Sequence, residues 1–271
     1  MDTRPIGVFD SGMGGLTAVR QMIRLLPGED IVYFGDTGRV PYGGRSVETI
    51  VRYARQDVAF LRSCDLKAIV IACGTVSTTA LHLLKSENTI PILGVVQPAA
   101  NAAVRASKSG NIGIIGTKAT IRSGAYEASI RALLPEARLT AKACPLLVPL
   151  VEDGRVRRGD FVTERVVEEY LCSVKAAGVD TLVLGCTHYP LLRDVISDYM
   201  GAGVTLIDTG EQAALAAAAL LGEQDRLNDF TRAGERRYYA SDSAEDFAAT
   251  ASLYLGADIS GLVERVAIEN Y

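Results

Sequence analysis

Residues 179–196 read VDTLVLGCTHYPLLRDVI, and this stretch decides the fold. An unbroken apolar run ends at Gly185; Cys186, Thr187, His188 and Tyr189 follow, and helical spacing then begins. Residues 66–84, LKAIVIACGTVSTTALHLL, repeat the order of apolar run, small residue, cysteine, threonine and helix. Apolar runs without alternation fit parallel strands covered on both faces. Similar runs occur as IGVFD (6–10), DIVYFGD (30–36), IPILGVV (90–96), NIGIIGT (111–117) and VTLID (204–208). Between them, GLTAVRQMIRLLPG (15–28) places Leu16, Val19, Ile23 and Leu26 at helical spacing and stops at Pro27-Gly28. SVETIVRYARQDVAFLRSC (46–64) has the same character. Strand and helix in alternation imply βαβ units, whose function gathers at the carboxyl ends of the strands.

The echo between the two cysteine segments points to an α/β protein of two lobes, each an open parallel sheet that presents one cysteine at a strand's carboxyl end. The first boundary is placed near VVQPAANAA (95–103), with Pro98 read as breaking a strand run, and the return near IDTGEQAA (207–214). The first lobe then comprises residues 1–97 and 208–271 and carries Cys73; the second comprises 98–207 and carries Cys186. RRYYASDSAEDFAATASLYLG (236–256) supplies one more strand and helix to the first lobe.

Composition narrows the function classes. The chain has 271 residues, 48% of them hydrophobic and 22% charged, with a formal net charge of −4. That balance argues against a nucleic-acid or anionic-membrane footprint. No secretory signal is visible and no apolar run approaches bilayer length, so a soluble cytoplasmic protein is expected. Five cysteines, at 64, 73, 144, 172 and 186, include no C-x-x-C pair, which weighs against a disulfide framework. With only His82 and His188 to join them, no metal site is expected. Cys64, Cys144 and Cys172 read as small core residues, and His82 as a solvated helix residue.

Five strand ends carry polar clusters: FDSGMGG (9–15), GDTGRVPYG (35–43), ACGTVS (72–77), IGTKATIRSG (115–124) and GCTHYP (185–190). DSGMGGLT is a glycine-rich turn opening a helix. It suits an anion held by backbone N–H groups, or a plain turn whose Asp10 or Ser11 caps the helix. Thr17 stands where a dinucleotide fingerprint needs its third glycine, so a nucleotide cofactor is disfavoured. Cys73 and Cys186 each precede an expected helix start, which lowers a thiol pKa from about 8.5 and favours the thiolate. His188 is near enough to Cys186 to exchange a proton with it.

DSGMGG, GDTGRVPYG, GTKATIRSGAY, CPLLVPLVEDG and GCTHYP together resemble the glutamate racemases of the aspartate/glutamate racemase superfamily. With the tail segment, the resemblance covers nearly the whole chain. It implies two pseudosymmetric α/β lobes with the active site in the cleft between them, and a cofactor-independent, two-base racemisation of L-glutamate to D-glutamate for peptidoglycan synthesis. Removing the α-proton from one face and returning one to the other calls for two fixed bases, with sulfurs roughly 7 Å apart across Cα. The resemblance assigns Cys73 to the proton of D-glutamate and Cys186 to that of L-glutamate, with Asp10, His188 and Glu152 assisting. It places Asp10, Ser11, Pro41, Tyr42, Gly43, Gly74, Thr75, Thr117, Thr120, Thr187 and His188 at the substrate, and homodimers are common among its members. One departure stands out: the family usually has Asn after the first cysteine, where this chain has Gly74. A lost hydrogen bond to a charged ligand costs about 1.5–3 kcal/mol. Three rivals remain open: a racemase of aspartate or another amino-acid derivative, a non-catalytic amino-acid-binding homologue, and a thiol hydrolase using Cys186 and His188.

Overall fold

A computed structural model describes residues 1–229 and 231–271. In the first lobe the strands are β1 (Ile6–Asp10), β2 (Ile31–Gly35), β3 (Ala68–Ile71) and β4 (Ile92–Gly94). The second lobe holds β5 (Asn111–Gly116), β6 (Arg138–Ala143), β7 (Thr181–Gly185) and β8 (Thr205–Asp208). The chain then returns with β9 (Arg236–Ala240) and β10 (Val263–Arg265). They form two open sheets, ordered β10-β9-β2-β1-β3-β4 and β6-β5-β7-β8. Every strand pair is parallel.

The apolar runs become central strands: every residue of β1, β2, β3 and β7 is buried. Alternate side chains feed different cores, as the pleat demands. Val8, Ala68 and Val70 join Ile115, Leu182 and Leu184 in one cluster that runs from sheet to sheet. Phe9, Ile69 and Ile71 face a second cluster behind the first sheet, and Ile112, Ile114 and Val183 a third behind the second. Helix Thr209–Glu223 packs against Leu16–Leu25 in the first lobe and Val96–Ala106 in the second, tying the lobes together. Among the described residues no helix is long and apolar enough to cross a membrane.

Several expectations need correction. Pro98 breaks no strand. It lies in the first turn of helix Val96–Ala106, where its missing N–H costs nothing because that position has no intrahelical partner. The 97/98 boundary therefore falls inside a helix. Neither Asp10 nor Ser11 caps helix Leu16–Leu25, whose N-cap is Gly15. Strands β6 and β10 lack the apolar signature: each is a sheet edge whose residues are half-buried or exposed. Cys144 is buried, but Cys64 is only half-buried and Cys172 is exposed on its helix.

One buried ion pair closes the end of the first lobe opposite the cysteine. Lys67, fully buried before β3, pairs with Glu29 and donates to the carbonyls of Asp2 at 2.7 Å and Arg226 at 2.9 Å. Glu29 also accepts from the amide of Asn228 at 2.7 Å. Replacing Lys67 by Met should therefore lower the unfolding free energy by about 3–5 kcal/mol, because a buried carboxylate loses its partner. Combining K67M with E29Q should recover much of that loss. Urea denaturation of the single and double variants measures it, and strictly additive losses would show that the pair does not interact.

Candidate active site

The carboxyl ends of β1, β3, β5 and β7 converge on one cavity of about 450 Å³ between the lobes. Cys73 and Cys186 both line it, from opposite sheets. Ser11, Gly43, Gly74, Thr75 and Thr117 contribute from around its wall, and Glu152, Thr187 and His188 complete the Cys186 side. Asp10 and Thr120 stand behind that wall, both about 1% exposed.

On the first-lobe side, Cys73 follows β3 after Ala72, and its thiol donates to Ser11 Oγ at 3.3 Å. Burial, reinforced by the charge of Asp10, pushes this thiol up to about 12. The expected lowering at a helix start is thus overturned: desolvation of the anion outweighs the helix of six residues that follows. Asp10 itself is raised by burial, against the charge of His188 and the amides of Gly15, Gly12 and Ser11. Its Oδ2 accepts from the Gly12 amide at 3.1 Å.

The second-lobe side is electrostatically different. Cys186 Sγ lies 3.8 Å from His188 Nδ1, and His188 Nε2 lies 3.2 Å from Glu152 Oε1. Burial opposes charge on the imidazole, but hydrogen bonds to Cys186 and Glu152, with the charges of Cys186 and Asp10, raise it to about 10. His188 is therefore an imidazolium at neutral pH, facing sulfur on one edge and carboxylate on the other. Tyr254, from the tail helix Ala244–Leu255, packs edge-on against its ring, with centroids 5.7 Å apart at 89°.

The glycine-rich turn also packs across the seam between the lobes. A Cβ on Gly14 would lie 2.2 Å from Thr187 Oγ1 and 2.6 Å from His188 Nδ1. Only glycine lets this turn press against the base of the opposite lobe. Thr17 Oγ1 seals the seam by donating to the Thr187 carbonyl at 3.0 Å, and the Thr187 hydroxyl points to Asp10 at 3.5 Å. Ser11 and Gly12 are the members of the turn that reach the cavity.

A string of hydroxyls crosses the cleft floor. Thr75 Oγ1 of the first lobe lies 3.1 Å from Thr117 Oγ1 of the second, which donates to Thr120 Oγ1 at 3.0 Å. These three groups satisfy one another here, and rotating O–H bonds can serve a carboxylate instead. Pro41 and Tyr42 reach the cavity, but the Tyr42 hydroxyl does not. It is turned into a buried knot, donating to Asp36 and, at 3.2 Å, to Asp57, both of which pair with Arg39. Tyr42 thus anchors its loop from beneath and leaves contact to its backbone and to Gly43. Residues missed in the sequence are Lys118 on the rim, the apolar wall of Val148 and Pro149, and Tyr254. Lys118 and Pro149 sit inside motifs already singled out; Tyr254 is distant in sequence, and nothing local marks it. Among the described residues no three His, Cys, Asp or Glu side chains are grouped to hold a metal ion.

The sequence pattern of the Asp/Glu/Hydantoin racemase family matches residues 6–218. The chain belongs to this family. It is 43% identical to the glutamate racemase of Geobacter metallireducens, over 99% of this chain and 98% of that one. Its fold superposes on a glutamate racemase isoform of Bacillus anthracis with a TM-score of 0.93 and 38% identity, covering 98% of each chain. A Francisella tularensis glutamate racemase, solved in complex with D-glutamate, gives 0.91 and 36% over the full length of both. The protonation pattern around the cavity centres on His188.

That pattern is directly measurable, because the chain has only two histidines. In NMR titrations one imidazole should titrate with a midpoint near the value of about 10 set by the His188 environment, and Glu152→Gln should lower it. The raised pKa also fixes a sign. Stability contributed by the imidazolium is fully present below the unfolded value of about 6.5 and lost as pH rises through about 10. His188→Asn should therefore destabilise the protein more at pH 6 than above pH 10. Two histidines titrating near 6.5 would remove the basis for this reading.

Proposed function

We propose that the chain interconverts L- and D-glutamate by moving the α-proton between Cys186 and Cys73, with no cofactor. The observation that carries the reading is that two buried cysteines from different sheets line one cavity, each with its own proton-handling partners. The free enzyme is poised asymmetrically. Cys73 is a thiol, and Cys186 has the His188 imidazolium beside it. L-Glutamate loses its α-proton to Cys186, and the electron pair left on Cα takes the Cys73 proton from the opposite face. D-Glutamate departs and leaves Cys73 as the thiolate, the state that the reverse reaction begins from.

The α-proton is weakly acidic, so the developing carbanion must be stabilised by groups already in place. Thr75 and Thr117 offer hydroxyl donors to the substrate carboxylates, with Thr120 behind them and Ser11 beside Cys73. Val148 and Pro149 give the cavity an apolar wall, which limits water and strengthens these interactions. Asp10 assists Cys73 by favouring its neutral form and by returning it to that form after turnover. The product suits a pathway that consumes D-glutamate, and we assign that pathway as peptidoglycan synthesis on the strength of the family resemblance.

Cys73→Ala and Cys186→Ala should each lower kcat by about 10²–10⁴-fold, the usual worth of a positioned acid or base. Circular dichroism of glutamate follows the optical change, and NMR in heavy water follows deuterium entering at Cα. Because the enantiomers are equal in free energy, kcat/KM is identical in the two directions for every variant. Damage to one base must therefore appear in how kcat and KM divide between L- and D-glutamate. Full activity in either cysteine variant, or turnover of aspartate and not glutamate, would sink the proposal.

A further inference from the structure

Gly74 and Gly185 flank the two cysteines on the sides that face each other: Gly74 follows Cys73, and Gly185 precedes Cys186. A Cβ built on Gly74 would lie 2.6 Å from the Gly185 carbonyl oxygen and 3.5 Å from its carbon. No β-carbon tolerates such a distance, so any side chain at 74 requires something to move. Neither backbone can step aside alone. Gly185 ends β7 with Gly116 of β5 as its neighbour in register, and its own Cβ would lie 2.6 Å from the Ile115 carbonyl. Gly74 is held by its place in helix Gly74–Thr79, where Ser77 N donates to Cys73 O at 2.9 Å. Unlike many glycines in turns, it has no positive φ to explain it.

We infer that Gly74 is a positioning residue: its bare backbone, resting on the Gly185 carbonyl, sets the gap across which Cys73 and Cys186 exchange the substrate's proton. The inference rests on the two-base reading above. It reverses the meaning of the departure noted in the sequence, because Gly74 here is a spacer and not merely a lost amide. A methyl group at 74 pushes the two strand ends apart by a few tenths of an ångström or more. Each sulfur is one residue from the contact, so the separation passes to the thiols with little loss. The Thr75–Thr117 hydroxyl contact spans the same gap and stretches with it.

The separation has a stereochemical signature. In heavy water, a carbanion made by Cys186 has two fates. A deuteron from Cys73 gives deuterated D-glutamate, with inversion. Return from Cys186, after its S–H has exchanged with solvent, gives deuterated L-glutamate, with retention. Widening the gap impairs only the first route. Misplacement of a reacting group by about 1 Å costs about 10²-fold, so Gly74→Ala should lower kcat by about 10-fold or more. KM should change little, and the ratio of deuterated L- to deuterated D-glutamate at early times should rise. Gly74→Asn should also be slower than the parent.

The outcomes separate cleanly. A parent protein that does not racemise glutamate refutes the two-base reading itself. An active parent with Gly74→Ala unchanged in kcat and in deuterium ratio overturns the role of Gly74 alone. So does Gly74→Asn outpacing the parent, which is what loss of an amide donor requires. Should the variants fail to fold, the parent still decides. As much deuterated L- as D-glutamate in its first turnovers would mean that the far thiol is not held in range.

Discussion

The seam at Thr187 is the contact on which the rest of the site depends. Its carbonyl accepts from Thr17, its hydroxyl faces both Asp10 and His188, and its side chain fills the space left by the missing Cβ of Gly14. The two cysteines that line the cavity stand on different sheets, so their relative placement is a matter of backbone contact and not of flexible side chains. Glycines at 14, 74 and 185 stand where a Cβ would collide with the neighbouring lobe or strand.

The same geometry makes the two halves electrostatically unequal. Burial beside a carboxylate holds Cys73 neutral, whereas Cys186 shares its surroundings with an imidazolium that a second carboxylate sustains. Two identical residues in an echoed sequence pattern thus sit in unequal surroundings, set by Asp10 on one side and by His188 and Glu152 on the other.

The fold was legible because parallel strands covered on both faces must be apolar throughout, as residues 6–10, 31–35, 68–71 and 181–185 are. An edge strand can escape that rule, and β6, with Arg138, Thr140 and Lys142 along it, shows no apolar run. Site residues stood out where polar groups end apolar strands. What stayed hidden depends on depth and direction, which local sequence does not encode. Examples are the raised thiol of Cys73, the Tyr42 hydroxyl facing Asp57 and away from the cleft, and the approach of Tyr254 to His188. Pro98 misled because a proline after an apolar run suits a strand's end and a helix's first turn equally well.

Glu152 differs from its neighbours in one respect with kinetic weight. Its side chain is 45% exposed, whereas the His188 side chain it touches is only 9% exposed. Through His188, Cys186 therefore reaches a carboxylate in contact with solvent, whereas the Cys73 thiol donates to Ser11 beside buried Asp10. Both sulfurs meet the shared cavity, and the Cys186 side adds a lateral route for protons to the medium.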